Sequence, residues 1–193
     1  MTSNKAHRGS EQVGQAHETP VAGGEDSVRR AIAQAFVPVR RFCFLQGGSW
    51  HEAEDIAQEA LLRAWKGRAR FDGRADPKTW IFAIARNCWR DRLRRKRRRP
   101  REHPMTEAME LTDTQPPPHA GLAREELGRA VRRALLTLPA EQREALALRE
   151  SRGLKFRQVA EVLGVPVATA KSRVRYALLK LADELQGFRQ EAR

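Results

Sequence analysis

Apolar side chains recur along this chain at helical spacing. Between residues 27 and 45, Val28, Ile32, Ala35, Phe36, Val39 and Cys43 fall at i, i+4, i+7, i+8, i+11 and i+15. That stripe predicts a helix, with Pro38 expected to kink or break it. Ser49 and Glu52 then form the S-x-x-E pattern of a capping box, followed by Ala53, Ile56, Ala57, Ala60, Leu61 and Ala64 at helical spacing. Asp76 as N-cap and Pro77 at the first helical position announce a third helix. Its apolar face is Ile81, Ile84, Ala85 and Cys88, flanked by Trp80, Phe82, Trp89 and Leu93. After a Pro-rich interval the pattern resumes with Leu127, Val131, Ala134, Leu135 and Leu138, and Pro139 restarts it as AEQREALALRE. Phe156, Val159, Ala160 and Leu163 form a short amphipathic turn ended by Gly164. Pro166 opens a longer stripe of Ala170, Val174, Ala177, Leu178, Leu181 and Leu185. Nowhere does period-two alternation run long enough to argue for a sheet. The fold class is all-α.

Charge divides the 193 residues into four segments. Residues 1–26 have net charge −2 and no apolar periodicity, which predicts a disordered tail. Residues 27–99 have net charge +12. Residues 100–121 have net charge −3 and hold five of the ten prolines, the composition of a flexible linker. Residues 122–193 have net charge +6. Two small basic helical domains are therefore joined by an acidic, Pro-rich tether. The total of +13, with an isoelectric point near 11, points to a polyanion, nucleic acid first. The absence of an apolar run of about 18 residues excludes membrane insertion through a helix. No secretory h-region opens the sequence, so a cytoplasmic chain is expected. Two cysteines, Cys43 and Cys88, cannot build a disulfide framework; both lie on helix stripes, which favours core packing over redox sensing.

Four features carry functional readings beside bland ones. Glu52, Glu54, Asp55 and Glu59 lie on the second helix of an otherwise basic domain. Favourable charge near a helix N-terminus covers the first three, whereas Glu59 lies further in. With Leu62 and Trp65 it makes an acidic and apolar outer face suited to a protein partner. The run from Arg86 to Arg101 holds ten Lys/Arg and one acid, Asp91. It is either a solvated tail or a phosphate-binding extension of an aromatic-rich helix. RARFDGRADPKTW (68–80) is either an ordinary Asp72-Gly73 turn or a place where single-stranded bases stack beside cations. The short helix, Gly turn and longer basic helix from Phe156 onward form a helix-turn-helix arrangement. Ala168, Thr169, Ser172, Arg175 and Tyr176 lie opposite the buried stripe at 100° per residue, with Lys171 and Arg173 on its flanks. Such side chains suit base edges and phosphates in a major groove. The bland counterpart is a plain helical hairpin.

Five strings in order resemble one family, the bacterial RNA polymerase sigma factors of the compact, two-domain extracytoplasmic-function group. They are AEDIAQEALLRAW (53–65), RFDG…TWIFAIARN (70–87), DRLRR (91–95), LPAEQREALALR (138–149) and FRQVAEVLGVPVATAKSRVRYALLKL (156–181). The resemblance implies that Asp55, Gln58, Glu59, Leu62 and Trp65 dock on core RNA polymerase. It implies that Phe71, Arg74, Lys78, Trp80, Arg86, Asn87 and Arg90 recognise the minus-ten element of promoter DNA and hold its unstacked bases. Ala168, Thr169, Lys171, Ser172, Arg173 and Arg175 would read the minus-thirty-five element. An anti-sigma protein is an expected further partner. The family usually has G-T-V-K-S-R in the recognition helix; here Ala170 is smaller than the usual Val, which implies looser packing, and Ala168 in place of the Gly implies a change in the helix's first turn and in its promoter sequence. No catalytic residue, cofactor or metal is expected. Two other classes stand beside this one. A stand-alone helix-turn-helix regulator accounts for residues 122–193 but leaves the acidic face without a role. A nucleic-acid enzyme lacks clustered carboxylates or metal-ligand spacing among its scattered histidines.

Overall fold

The computed structural model describes residues 22–98, 122–151 and 154–191. The described residues form seven α-helices and one short 3-10 turn, with no strand. The acidic linker and residues 1–21 of the expected tail lie outside the described residues. Helix α1 (Ala22–Leu45) begins earlier than its stripe implied, taking residues 22–26 that composition had left to the tail.

Pro38 sits inside α1 without ending it. A proline in a helix interior costs about 3 kcal/mol through its missing N–H and its clash with the preceding turn. Val39 and Phe42, just beyond it, are completely buried. Burying each such side chain contributes roughly 1.5–3 kcal/mol, so packing carries the helix across the proline. Phe42 meets Phe82 of α3 edge to face, with ring centroids 5.9 Å apart.

The turn after α1 needs Gly47, whose φ of 102° few side chains tolerate. Helix α2 (Trp50–Gly67) follows, with the expected capping box: Ser49 Oγ accepts from the Glu52 N–H at 3.1 Å, and a Glu52 carboxylate oxygen accepts from the Ser49 N–H at 3.2 Å. We expect Ser49→Ala to lower stability by about 1 kcal/mol. That is a fall of about 2–4 °C in Tm, measured by circular dichroism; an unchanged Tm would deny the box any energetic role. The buried face of α2 is Ala53, Ile56, Ala57, Ala60 and Ala64. Four alanines in five positions let α1 and α3 approach closely, which is how a chain with few aromatics closes a core.

A 3-10 turn (Arg68–Arg70) leads toward α3 (Pro77–Arg98). Asp76 caps α3 as its sequence suggests, its Oδ1 accepting from the Lys78 N–H at 2.9 Å. Ile81, Phe82, Ala85, Cys88 and Trp89 are buried. Cys43 and Cys88 are free thiols within this core. Burial pushes the Cys43 thiol well up, the neighbouring Cys88 adding to the effect, and burial raises Cys88 as well. Both are held as packed, protonated thiols.

The second unit comprises α4 (Leu122–Thr137), α5 (Ala140–Glu150), α6 (Phe156–Leu163) and α7 (Val167–Glu191). Gly164 closes α6 in the left-handed conformation at φ 69°. The Val165 N–H donates to the Ala160 carbonyl at 3.0 Å and the Gly164 N–H to Glu161 at 3.2 Å, a Schellman closure. Ala170, Val174 and Ala177 of α7 are buried as their spacing implies, but Leu178 is 52% exposed and Leu127 of α4 is 51% exposed. In each case the packed stripe is narrower than the apolar pattern, because neighbouring helices cover only part of the arc. The two units do not stand apart: α5 lies against α1, and α6 lies against α3.

Candidate partner and nucleic-acid interfaces

Opposite its alanine face, α2 presents Asp55, Gln58, Glu59, Leu62 and Trp65 on one surface, as positions i, i+3, i+4, i+7 and i+10 require. Asp55 and Gln58 are exposed, and the large apolar side chains of Leu62 and Trp65 are 59% and 43% exposed. Glu59 is half-exposed and paired with Arg63 one turn on. Trp65 is braced from behind, with the Arg68 guanidinium 4.1 Å from its ring and Arg29 at 5.7 Å. Arg68 is in turn held by Glu25 of α1 at 2.9 Å. Arg29 and Arg68 together outweigh desolvation and hold the Glu25 carboxyl below its ordinary range. The indole is thus oriented by cations while its outer side stays open.

Glu52, grouped by sequence with this acidic patch, faces elsewhere. Beyond its capping role, it pairs with Arg92 at 3.3 Å and with Lys96. Burial works to raise its pKa, but Lys96, the Ser49 N–H and Arg92 outweigh it and hold the carboxyl below the usual range. That carboxylate ties the basic end of α3 to the start of α2. The run from Arg86 onward is helical through Arg98, and its last residues, 99–101, lie outside the described residues.

The residues assigned by sequence to single-stranded DNA do not share one surface. Phe71 and Trp80 pack on each other, centroids 5.3 Å apart, and both are half-buried. Arg74 stands on the loop at 85% side-chain exposure, paired with Asp72 at 3.4 Å. Asn87 and Arg90 are exposed further along α3. Asn87, seven residues from Trp80, returns to within about 20° of it around the helix. Lys78 lies elsewhere, on the rim of a cleft of about 370 Å3 between α1 and α3 that is floored by Ala31, Ala35 and Phe82. Arg86 departs from the group altogether: it lies about 100° around the helix from Asn87, and its side chain is only 15% exposed. It faces the second unit and bonds to Glu144 instead of standing open to solvent. Periodicity placed Arg86 on α3 correctly, but no local signal shows which helix will cover that flank.

On α7 the helix-turn-helix residues are presented as a group. Ala168, Lys171 and Arg175 are exposed; Thr169, Ser172 and Arg173 are half-buried. Ser172 Oγ donates to the Thr169 carbonyl at 3.0 Å, within its own helix. The replacement Ala170 is completely buried. Sequence reasoning missed Glu144 and Arg132, which join the two units. Arg132 sits on α4 at 7% exposure, in a position that reads from sequence as an ordinary surface cation.

Comparison with known proteins places these surfaces in context. Residues 34–99 match the family model for Sigma-70 region 2, and residues 128–181 match that for Sigma-70, region 4. The chain is 36% identical over 157 residues to the ECF RNA polymerase sigma factor EcfG of Rhodopseudomonas palustris, covering 81% of this chain and 84% of that protein. It is 30% identical over 155 residues to the ECF RNA polymerase sigma factor SigW of Bacillus subtilis, covering 77% and 83%. Its fold is similar to that of the sigma factor RpoE from Bartonella quintana, solved with the anti-sigma factor NepR. That match has a TM-score of 0.63 at 24% identity and covers 82% of this chain and 96% of that one. CnrH, solved with the cytosolic domain of CnrY, is similar at a TM-score of 0.62 and 22% identity, covering 85% and 97%.

Proposed function

Because the chain belongs to the extracytoplasmic-function sigma factors of RNA polymerase, we propose that its α2 face docks on core polymerase while its two basic units read promoter DNA. In this reading Asp55, Gln58, Glu59, Leu62 and Trp65 contact the polymerase. Phe71, Arg74, Lys78, Trp80, Asn87 and Arg90 serve the minus-ten element and its melting, whereas Arg86 is committed to Glu144 of the second unit. Extracting a base costs a few kcal/mol, which stacking at ~1–3 kcal/mol per base offsets. Ala168, Thr169, Lys171, Ser172, Arg173 and Arg175 read the minus-thirty-five element in duplex form. The protein acts in the cytoplasm without catalysing a reaction, and an anti-sigma protein restrains it.

The observation that carries this reading is the α2 face: carboxylates beside an exposed leucine and a cation-braced tryptophan, on a molecule otherwise strongly basic. A stand-alone DNA-binding regulator gives that face nothing to do. Run-off transcription with purified core enzyme tests the proposal. Adding the chain should make core polymerase initiate at a subset of promoters, including premelted and duplex templates. If no template is selected while a control sigma factor works with the same enzyme, the proposal fails.

A further inference from the structure

Trp65 owes its setting to one carboxylate on another helix. Arg68 donates from Nε to Glu25 Oε1 at 2.9 Å and from Nη1 to the Trp65 carbonyl at 2.7 Å. Those two bonds fix the guanidinium 4.1 Å from the indole centroid. The same Glu25 oxygen accepts from Arg29 Nη2 at 3.1 Å, and that second guanidinium lies 5.7 Å from the same ring. Both cations are within the range at which an aromatic face attracts charge. Gly24, beside Glu25, lies against Phe71, so close that an added Cβ would stand 3.7 Å from the Phe71 ring. The first turn of α1 is thus packed onto the segment that carries Arg68.

Fold stability does not account for this network. An acid in the first turn of a helix interacts favourably with its dipole, which explains Glu25 on α1 but not its reach across 43 positions to Arg68. The side chains of Glu25, Arg29 and Arg68 are between 26% and 50% exposed, and ion pairs at such exposure add little to stability. What the network fixes is geometry. Without the shared carboxylate, two like charges would stand beside one ring with nothing to hold them. An exposed tryptophan that swings freely loses that freedom on binding, whereas a ring already held does not. Large aromatics are also the side chains that most often anchor an interface.

We propose that Glu25 is a positioning residue for docking: through Arg68 and Arg29 it holds the Trp65 indole in the orientation that meets core polymerase. The docking surface then extends beyond α2 into the first turn of α1, ahead of residue 34, where the match to Sigma-70 region 2 begins. The inference rests on the proposed docking face, and Trp65→Ala tests that face separately.

Biolayer interferometry of the full-length chain on core polymerase compares the parent with Trp65→Ala, Glu25→Gln and the double variant. Trp65→Ala should weaken binding by about thirtyfold or more, as truncating an interface anchor does. Glu25→Gln should weaken it about three- to tenfold, the cost of ordering one free side chain. In the Trp65→Ala background, Glu25→Gln should change nothing further, since its effect runs through the missing ring. In the free chain the Trp65 indole N–H resonance, identified by its absence from Trp65→Phe, should shift in Glu25→Gln while those of Trp50 and Trp89 stay in place. Parental affinity in Glu25→Gln overturns the proposal, as does an equal loss with and without Trp65. If Glu25→Gln loses helical signal by circular dichroism, Arg29→Gln decides in its place, with the same expected coupling to Trp65→Ala. Parental affinity in Trp65→Ala removes the docking face and the role of Glu25 with it. A loss in Trp65→Ala alone leaves the face standing and refutes only the role of Glu25.

Discussion

Replacing Asp55 and Glu59 together by lysine should weaken assembly with core RNA polymerase about a hundredfold or more. Losing one partner of a desolvated interfacial charge pair costs 2–5 kcal/mol, and two such losses with reversed sign exceed the 1.4 kcal/mol per decade of affinity several times over. The fold should barely notice. Asp55 is exposed, Glu59 is half-exposed, and the alanine face that packs α2 into the core lies on the other side of the helix. The Glu59–Arg63 pair is an exposed i, i+4 contact worth about 0.3–0.5 kcal/mol. Co-elution on gel filtration with core enzyme reads the first effect and thermal melting reads the second. Undiminished co-elution by a folded double variant would remove the foundation of the proposed docking face.

The other large effect lies on the recognition helix. Lys171 and Arg175 are exposed one turn apart on α7, whereas Ala170, Val174 and Ala177 hold the helix in its unit. Changing both cations to glutamate should weaken binding to promoter duplex across all sequences. The slope of log affinity against log salt should fall by about 0.9 for each phosphate that is no longer neutralised. Ser172→Ala, in contrast, leaves charge untouched and should alter preference among sequences more than the salt slope. Fluorescence anisotropy with holoenzyme across a salt series separates the two. A slope that stays at its parental value would show that this face of α7 does not bind phosphates.

Much of the architecture is legible locally. The Ser49 and Asp76 caps, the Gly164 turn and the alanine-rich face of α2 depend on residues within a few positions of one another, so periodicity and capping chemistry reach them directly. The outer face of α2 is readable for the same reason, since one helix alone decides which residues share it. Pro38 marks where local rules stop. Its intrinsic penalty is real, but burial of Val39 and Phe42 against other helices decides the outcome. Leu178 errs in the opposite direction, belonging to the stripe by spacing yet left half-open because α7 is covered over a narrower arc.

By itself, then, the sequence determined the helical class, the two basic units and the outer face of α2, because those properties follow from composition and from spacing within single helices. Only the tertiary structure decided that Arg86 pairs with Glu144, that Arg132 is buried and that Glu52 ties α2 to α3. Each of those outcomes joins residues 40 to 84 positions apart. A charge that is open to solvent on an isolated helix becomes a committed partner only when another helix, placed by the packing of the whole core, brings its counter-charge within reach.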